Sequence, residues 1–176
     1  QQTSITVADV GFQTPESALH DATSDLYLVS NINGVPSAAD DNGFISRVAP
    51  DGTVRSLKWI DGAAADVTLN APKGMGIVGD TLFVADLNAV RLFHRDTGRP
   101  LGTRTIAAAT FLNDIAVGPD GTVYVSDSGL KPDFTASGTD AVYRFDRAGN
   151  PVMLIADTTL GRPNGLAADS ATLTVV

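Results

Sequence analysis

The sequence predicts an all-β fold of repeated four-stranded units, the pattern of the blades of a β-propeller. Residues 111–127 (FLNDIAVGPDGTVYVSD) contain a polar corner, an apolar run, a Pro-Asp-Gly turn and a second apolar run, which is the pattern of two short strands joined by a tight turn. No segment keeps a helical apolar period over three turns with caps. The strand-turn-strand pattern occurs four times, with corner residues 57, 40 and 51 positions apart: Glu16, Lys73, Asn113 and Asn164.

The first unit is predicted over residues 15–60. Its hairpin occupies residues 15–21 and 26–31, where apolar and polar residues alternate on both sides of a turn. After a polar loop, residues 44–48 and 54–60 flank a second Pro-Asp-Gly turn and complete four strands. Residues 3–10 alternate in the same way, and we expect them to form an edge strand that pairs with a closing blade.

The second and third units repeat this order over residues 72–106 and 112–156. Strands are predicted in the second unit at 74–78, 82–85, 90–94 and, more weakly, 104–106, and in the third at 115–117, 123–126, 141–145 and 152–156. The fourth unit, residues 163–176, contains only its first two strands. Tyr27, Phe83 and Tyr124 are predicted to share one position of the second strand, between blades.

The number of units predicts a partial ring. The repeat supplies roughly three and a half blades, whereas propellers close with typically four to eight. We therefore expect residues 1–176 to be a single partial propeller domain, the N-terminal part of a longer ring. The alternative is a small ring closed by pairing of residues 3–10 with the last hairpin. The open edge strands of the half-blade predict self-association with another chain.

Composition and charge exclude several classes of partner. A hydrophobic fraction of 43% over 176 residues is enough for a packed core. The net charge of −8 argues against nucleic acid, because the phosphates would repel such a surface. No run approaches about 18 apolar residues, so no membrane-spanning segment is predicted. The absence of cysteine excludes disulfides and thiolate metal sites.

The corners also carry a resemblance to a known family. The first, third and fourth corners are Pro-Glu, Asn-Asp and Pro-Asn-Gly, beginning at positions 15, 113 and 163. This order, on a four-stranded repeat, resembles the regucalcin/gluconolactonase family of six-bladed propellers, and the resemblance covers essentially the whole chain. It implies a ring of six blades, of which about three and a half are present.

The resemblance implies a divalent cation in the central channel, calcium foremost, with magnesium or zinc as alternatives. The implied ligands are Glu16, Asn113 and Asn164, together with an Asp of a later blade. The chemistry agrees, because corner residues at the start of innermost strands would point at the propeller axis, and a carboxylate with two amide oxygens is a hard, all-oxygen set. The competing interpretations are turn residues for the two Asn and a solvated carboxylate for Glu16.

Two charged residues beside these ligands have two interpretations each. Asp114 resembles the family's base or substrate-contacting position, so it is the candidate catalytic residue that could order an attacking water. An equal alternative is that Asp114 bonds to neighbouring backbone amides. Lys73 cannot bind a cation while protonated, so it is either a counter-charge to Glu16 and Asp114 or a contact for a substrate oxygen.

Two further residues are candidate substrate contacts. Phe111 stands where sugar-lactone hydrolases of the family tend to carry Arg, so a more apolar lactone or ester is at least an equal alternative to gluconolactone as the substrate. Asn31, Asp86 and Asp127 end the second strand of three units. The main interpretation of these three is a structural turn bonded to backbone amides, and the alternative is contact with substrate in the channel.

The function predicted from these residues is a metal-dependent hydrolase of the lactonase or esterase type, in which a metal-activated water attacks a lactone or ester carbonyl. We expect it to be inactive, or nearly so, without further blades. The alternative is a non-catalytic propeller module that binds peptide or carbohydrate. Neither a Gly-x-Ser-x-Gly elbow nor a glycine-rich phosphate loop is present. The resemblance and the start at Gln1 favour a periplasmic or secreted protein.

Overall fold

The computed structural model of the protein describes residues 4–176 and consists of short antiparallel strands. Three sheets have four strands each, and a two-stranded sheet follows them. The prediction of an all-β fold of four-stranded units is confirmed. In chain order the strands are β1 (Pro15–Asp21), β2 (Leu26–Asn31), β3 (Phe44–Val48), β4 (Val54–Asp61), β5 (Pro72–Val78), β6 (Thr81–Asp86), β7 (Ala89–His94), β8 (Pro100–Thr105), β9 (Leu112–Val117), β10 (Val123–Asp127), β11 (Ala141–Phe145), β12 (Pro151–Ala156), β13 (Leu166–Ala168) and β14 (Leu173–Val175).

The sheets are arranged as successive blades. Within each sheet the strands pair in sequence order, so β1, β5, β9 and β13 each lie at one edge of their own sheet. β1 lies against β5, β5 against β9, and β9 against β13. The first strands therefore form an inner row from which the sheets extend outward, as in a propeller. We number the blades one to four in chain order.

The core lies between consecutive blades. Between blades one and two, Leu28, Ile45 and Ile60 pack against Leu82 and Val84. A second cluster fills the space between blades two and three in the same way, with Val90, Leu112, Val123, Val125 and Tyr143 among its members. Side chains alternate across each pleated strand, so blade two buries one face against blade one and the other against blade three.

Tight turns join the strands where the sequence predicts them. Gly52 and Gly121 adopt φ angles of 86° and 81°, in the left-handed region that glycine enters without steric cost. In the turn that Gly121 ends, the carboxylate of Asp120 accepts hydrogen bonds from the N–H and the hydroxyl of Thr122. The Pro-Asp-Gly motif thus reverses the chain between β9 and β10.

Three local predictions differ from the structure. β8 runs over Pro100–Thr105 rather than 104–106. The sequence did not predict these bounds because most side chains of β8 are exposed and show no apolar alternation. Residues 4–10 form no strand, and residue 3 lies outside the described residues, so pairing with a closing blade stays a prediction. A short 3₁₀ turn at Thr158–Leu160 was not predicted; the Asp157 side chain caps it by accepting the Thr159 N–H.

The register of the second strands is also corrected. Counted back from the last residue of β2, β6 and β10, Tyr27 corresponds to Leu82 and Val123. The prediction that Tyr27 shares its position with Phe83 and Tyr124 is therefore wrong by one residue. Because side chains alternate across a strand, this shift places Tyr27 on the opposite face of its sheet from the one predicted. None of the helical residues in the described range forms a segment able to cross a bilayer.

Candidate functional site

The four corner residues lie at equivalent places in the four blades. Glu16, Lys73 and Asn113 are each the second residue of the first strand of their blade. Asn164 lies two residues before β13, where its N–H donates to the carbonyl of Val176 at 2.7 Å. Because the first strands form the inner row, their corners follow one another along one end of that row.

Asn113 is buried, and its two side-chain atoms have different surroundings. Its Nδ2 donates to Oγ of Ser128 at 2.9 Å, and that hydroxyl donates to the carbonyl of Pro163 at 2.8 Å. The Oδ1 atom is buried and has no hydrogen-bond partner among residues 4–176. Buried acceptors are nearly always satisfied, so this oxygen is the clearest opening for a ligand at the corners.

Glu16 is the single glutamate among the 20 acidic residues of the sequence. Its side chain reaches solvent, yet surrounding protein desolvates the carboxylate enough to raise its pKa above the ordinary value. The charge of Lys73 opposes this rise in pKa and the charge of Asp114 adds to it. Glu16, Lys73 and Asp114 are therefore close enough for their charges to interact, although they come from three blades.

Asp114 uses both carboxylate oxygens on backbone groups. Oδ1 accepts from the N–H of Ile115 and Oδ2 accepts from the N–H of Leu166, each at 2.8 Å. Burial raises the pKa of Asp114, and these two hydrogen bonds act against the rise. The alternative interpretation of Asp114, bonding to backbone amides, describes these contacts, and its role as a base stays a prediction.

Lys73 is a buried ammonium group, with 1% of the residue exposed. Its Nζ donates to the carbonyl of Ala71 at 3.0 Å and lies 4.4 Å from the centre of the Phe111 ring. Burial lowers the pKa of Lys73 to about 8, while Asp86 and Glu16 hold it up. The counter-charge interpretation of Lys73 therefore has a partner in Glu16.

Phe111 is buried rather than open to the channel. Its ring packs edge-on against Phe134, with the ring centroids 6.2 Å apart. The ammonium of Lys73 also lies against this ring. Phe111 thus helps to cover the Lys73 charge. Direct contact of the ring with a substrate stays a prediction.

Asp127 is fully buried and accepts from the N–H groups of Thr110, Phe111 and Gly129. Asp86, in the equivalent position of blade two, accepts from the two N–H groups that precede β5. In blade one, Oδ1 of Asn31 accepts from the N–H of Gln13. The structural-turn interpretation describes all three positions, and contact of Asp127 with substrate stays a prediction.

Sequence reasoning missed two serines, one of which connects the corners of blades three and four. Ser126 Oγ accepts from the N–H of Asp114 at 2.9 Å and donates to the carbonyl of Asn164 at 2.7 Å. Ser30 Oγ accepts from the N–H of Ser17 in the same place of blade one. The repeated Val-Ser dipeptide at the end of β2 and β10 is the signal that could have identified these serines.

The structure thus links the predicted residues in two groups. Glu16, Lys73 and Asp114 interact through their charges, and Asn113 is joined to the corner of blade four through Ser128 and Pro163. Within residues 4–176, no cluster of three or more His, Cys, Asp or Glu side chains is arranged to hold a metal. A cation at these corners would need amide or backbone oxygens beside Glu16.

Comparison with known proteins gives structural likeness only. No protein-family model and no curated protein matches the chain. A gluconolactonase from Xanthomonas campestris matches with a TM-score of 0.65 and 17% identity, over 98% of this chain and 57% of that one. A catalytically inactive virginiamycin B lyase from Staphylococcus aureus with quinupristin matches with a TM-score of 0.60 and 12% identity, over 90% and 47%.

A protein of unknown function from Bacteroides caccae also matches, with a TM-score of 0.56 and 14% identity, over 83% of this chain and 51% of that one. The chain spans about half the length of the structures that it matches. At these identities the likeness shows the fold and no more. Both the gluconolactonase and the lyase are β-propellers, so the three and a half blades of this chain are those of a partial β-propeller.

Proposed function

We propose that this chain contributes to a metal-dependent hydrolase of the lactonase or esterase type, with its site at the corners of the first strands. The observation that carries the proposal is the buried Oδ1 of Asn113, which has no partner in the described residues. The likeness of the fold to a gluconolactonase supports the same reaction class at the level of fold. Calcium is the metal we propose, because the donors are all oxygens.

The residues at the corners fit such a cation. Glu16 supplies the negative charge, Asn113 the free amide oxygen, and Asn164 a second amide on an exposed side chain. When bound, the cation would polarise a substrate carbonyl and lower the pKa of a water. Lys73 is a buried positive charge that interacts with Glu16, so it weakens cation binding at Glu16 and attracts an anionic or carbonyl oxygen of the substrate.

Asp114 would orient the incoming water rather than bind the metal. Its oxygens are held by the N–H groups of Ile115 and Leu166, so the carboxylate has a fixed direction. Burial raises its pKa, which brings the group closer to the range in which a carboxylate can accept a proton from water.

The loops beside Phe111 favour a substrate with an apolar part. A cavity of about 310 Å³ lies beside the segment that precedes this residue. Half of its lining residues are apolar and half are polar: Leu87, Ala109, Leu130 and Pro132, and Ser37, Asn88, Thr110 and Lys131. Its apolar residues suit the alkyl part of a lactone or ester, and its polar residues suit the oxygens of the same substrate. We therefore propose an alkyl-substituted lactone or ester as the substrate class.

Calcium titration by calorimetry tests the metal site directly. The variants Glu16→Gln and Asn113→Ala are each expected to raise the dissociation constant at least about tenfold, equivalent to about 1.4 kcal/mol. Asn150→Ala is the matched control, because Asn150 is an exposed turn residue bonded to Asp146. Equal calcium affinity in all four proteins, or no calcium binding by any, would contradict the proposal.

Hydrolysis of an alkyl-substituted γ-lactone and of gluconolactone, followed by proton release, tests the reaction. In a protein that carries the remaining blades we expect turnover to require calcium and to be lost in Asp114→Asn, whereas the 176-residue chain by itself should show little or no turnover. A protein that binds a peptide or carbohydrate equally well with and without metal, and turns over no lactone, would favour the non-catalytic binding module instead.

A further inference from the structure

A cavity of about 270 Å³ lies between blades two and three, both of which are complete four-stranded sheets. It is at the opposite end of the strands from the corners, because Val78 ends β5 whereas Lys73 is the second residue of that strand. Five residues along an extended strand span roughly 16 Å, so a ligand of this cavity is independent of the proposed hydrolase. The apolar part of the lining is Val78, Phe83 and Leu92 of blade two with Val123 and Phe145 of blade three.

Side chains of blade one occupy the corresponding space between blades one and two. Oδ2 of Asp21 lies 3.4 Å from Nε of Arg95, in the turn that follows β7. The guanidinium of Arg47 donates to the carbonyl of Arg95 at 2.8 Å and lies 3.6 Å from the centre of the Trp59 ring. A Cβ atom at Gly98 of the same turn would come within 3.2 Å of that ring. Blade one thus supplies a carboxylate, a guanidinium and an aromatic ring to the turn of blade two.

Blade two has no carboxylate at the position equivalent to Asp21. Val78 pairs with the first residue of β6 as Asp21 pairs with the first residue of β2, so a valine stands there. On blade three, Arg147 corresponds to Arg95, since each comes six residues after the first residue of its third strand. Within residues 4–176 Arg147 forms no ion pair. The carboxylate of Asp146 accepts from two N–H groups and an amide of its own turn.

Blade two also supplies no aromatic ring from its outer strand. Trp59 lies in a bulge of β4, where the pairing with β3 shifts register. β8 pairs with the first four residues of β7 without a shift and contains no aromatic residue. The turn of blade three meets Arg104 instead, because a Cβ atom at Gly149 would lie 2.8 Å from its Nε. Within the described part of the chain Arg104 forms no ion pair, and its guanidinium donates to the carbonyl of Thr103 at 3.5 Å.

We propose that this cavity binds an aromatic carboxylate, which supplies the groups that blade one supplies to blade two. Its carboxylate would pair with Arg104 and Arg147, and its ring would lie against the apolar wall. Two arginines and one aspartate line the cavity, so its net charge is positive and favours an anion. A planar guanidinium pairs with a carboxylate and also stacks on an aromatic face. Because an apolar cavity of about 150 Å³ holds benzene, the larger volume has room for a bicyclic ring.

Calorimetric titration of the 176-residue chain with naphthalene-1-acetate tests the proposal. We expect saturable binding, and a dissociation constant about tenfold or more higher for the neutral naphthalene-1-acetamide. Arg104→Gln and Arg147→Gln should each raise the dissociation constant of the acid about tenfold or more, because each removes a charge-assisted hydrogen bond. Arg99→Gln is the matched control, since Arg99 is exposed on blade two outside the cavity, and it should change the constant by less than about twofold. Far-ultraviolet circular dichroism checks that each variant folds.

Val78→Asp tests the comparison between the blades. This variant gives blade two the carboxylate that blade one has, so it should compete for Arg147 and raise the dissociation constant of the acid about tenfold or more. Val78→Thr, which has a similar shape and no charge, should raise it by less than about threefold. The proposal would be overturned by a native chain without saturable binding, by equal affinity for the acid and the amide, or by an equal effect of Arg99→Gln and Arg104→Gln. Equal affinity of the two Val78 variants would overturn it as well. These outcomes leave the corner residues and the proposed hydrolase untouched.

Discussion

The carboxylate of Asp114 fills the space that a side chain at Gly74 would need on the neighbouring blade. A Cβ atom at residue 74 would overlap Oδ1 of Asp114 and would lie 2.5 Å from its Cα atom and 2.7 Å from the nitrogen of Ile115. The other oxygen of Asp114 is bonded to the N–H of Leu166 in β13. One side chain thus joins three consecutive first strands.

Gly74→Ala should therefore destabilise the protein, while Gly165→Ala should not. A Cβ at residue 165 would meet only Val176 at 3.9 Å and Asp114 at 4.0 Å, which are ordinary contacts. We expect Gly74→Ala to lower the free energy of unfolding in urea by about 2 to 4 kcal/mol, since backbone must move, and Gly165→Ala to change it by less than about 1 kcal/mol. Equal effects of the two would show that β5 and β9 are not in this close contact.

The titration of the Glu16 carboxyl group can be measured separately from that of every other carboxyl group. Because the chain has one glutamate, selective ¹³C labelling of glutamate gives one side-chain carboxyl resonance in NMR spectra. Desolvation raises the pKa of Glu16, so the midpoint of its NMR titration should lie above 4.5. The folded state holds the proton more tightly than the unfolded state, so the free energy of unfolding should fall as pH rises from 4.5 through this midpoint. Calcium should lower the midpoint if Glu16 is a ligand. A midpoint that calcium leaves unchanged would contradict ligation.

Lys73 should make stability rise with pH on the alkaline side. The pKa of Lys73 is about 8 in the folded chain, whereas lysine in the unfolded chain has its ordinary pKa of 10.5. Between these two pH values the unfolded chain binds more protons, so the free energy of unfolding increases with pH. The gain from this group is about 3 kcal/mol over the window. Urea unfolding from pH 8 to pH 10.5 should show the rise in the native chain and in Lys131→Met, but not in Lys73→Met. A rise of equal size in Lys73→Met would assign it to other groups.

Asp127→Ala should destabilise the protein by about 3 kcal/mol or more, because it leaves three backbone N–H groups, two of them buried, without an acceptor. Asp133→Ala is the comparison, because Asp133 bonds to Thr135 in an exposed loop and its loss should cost about 1 kcal/mol or less. Chemical denaturation of both variants measures the difference. Similar costs would mean that Asp127 is not the acceptor that holds the loop before β9.

The sequence predicts the strands well because most of them alternate between two buried faces. The bounds of β1, β2, β3 and β11 coincide with the predicted ranges, and the remaining strands differ mainly at their ends. β8 was misplaced, since exposed side chains on both of its faces provide no apolar period. Tyr27 was misaligned because it was matched to other aromatic residues and not by its distance from the end of its strand.

The site was only partly predictable for a different reason. The corner residues repeat at one place of each unit, so a single sequence shows that they are equivalent. Contacts between blades, such as Asp114 with Leu166 and Ser128 with Pro163, depend on the angle between sheets, which local pattern does not encode. The buried state of Lys73 likewise follows from Phe111 on the next blade.

The side-chain acceptors of Asn31, Asp86 and Asp127 also determine where a blade would have to be cut to be moved from one propeller to another. Each one holds the segment leading into its own blade, at Gln13, at Asn70 and Ala71, and at Thr110 and Phe111. A blade cut at the first residue of its inner strand would keep its acceptor but lose the N–H donors of the lead segment. A graft that keeps its lead segment would carry this local connection intact, so duplication or transplantation of a blade should begin two or more positions upstream of the strand.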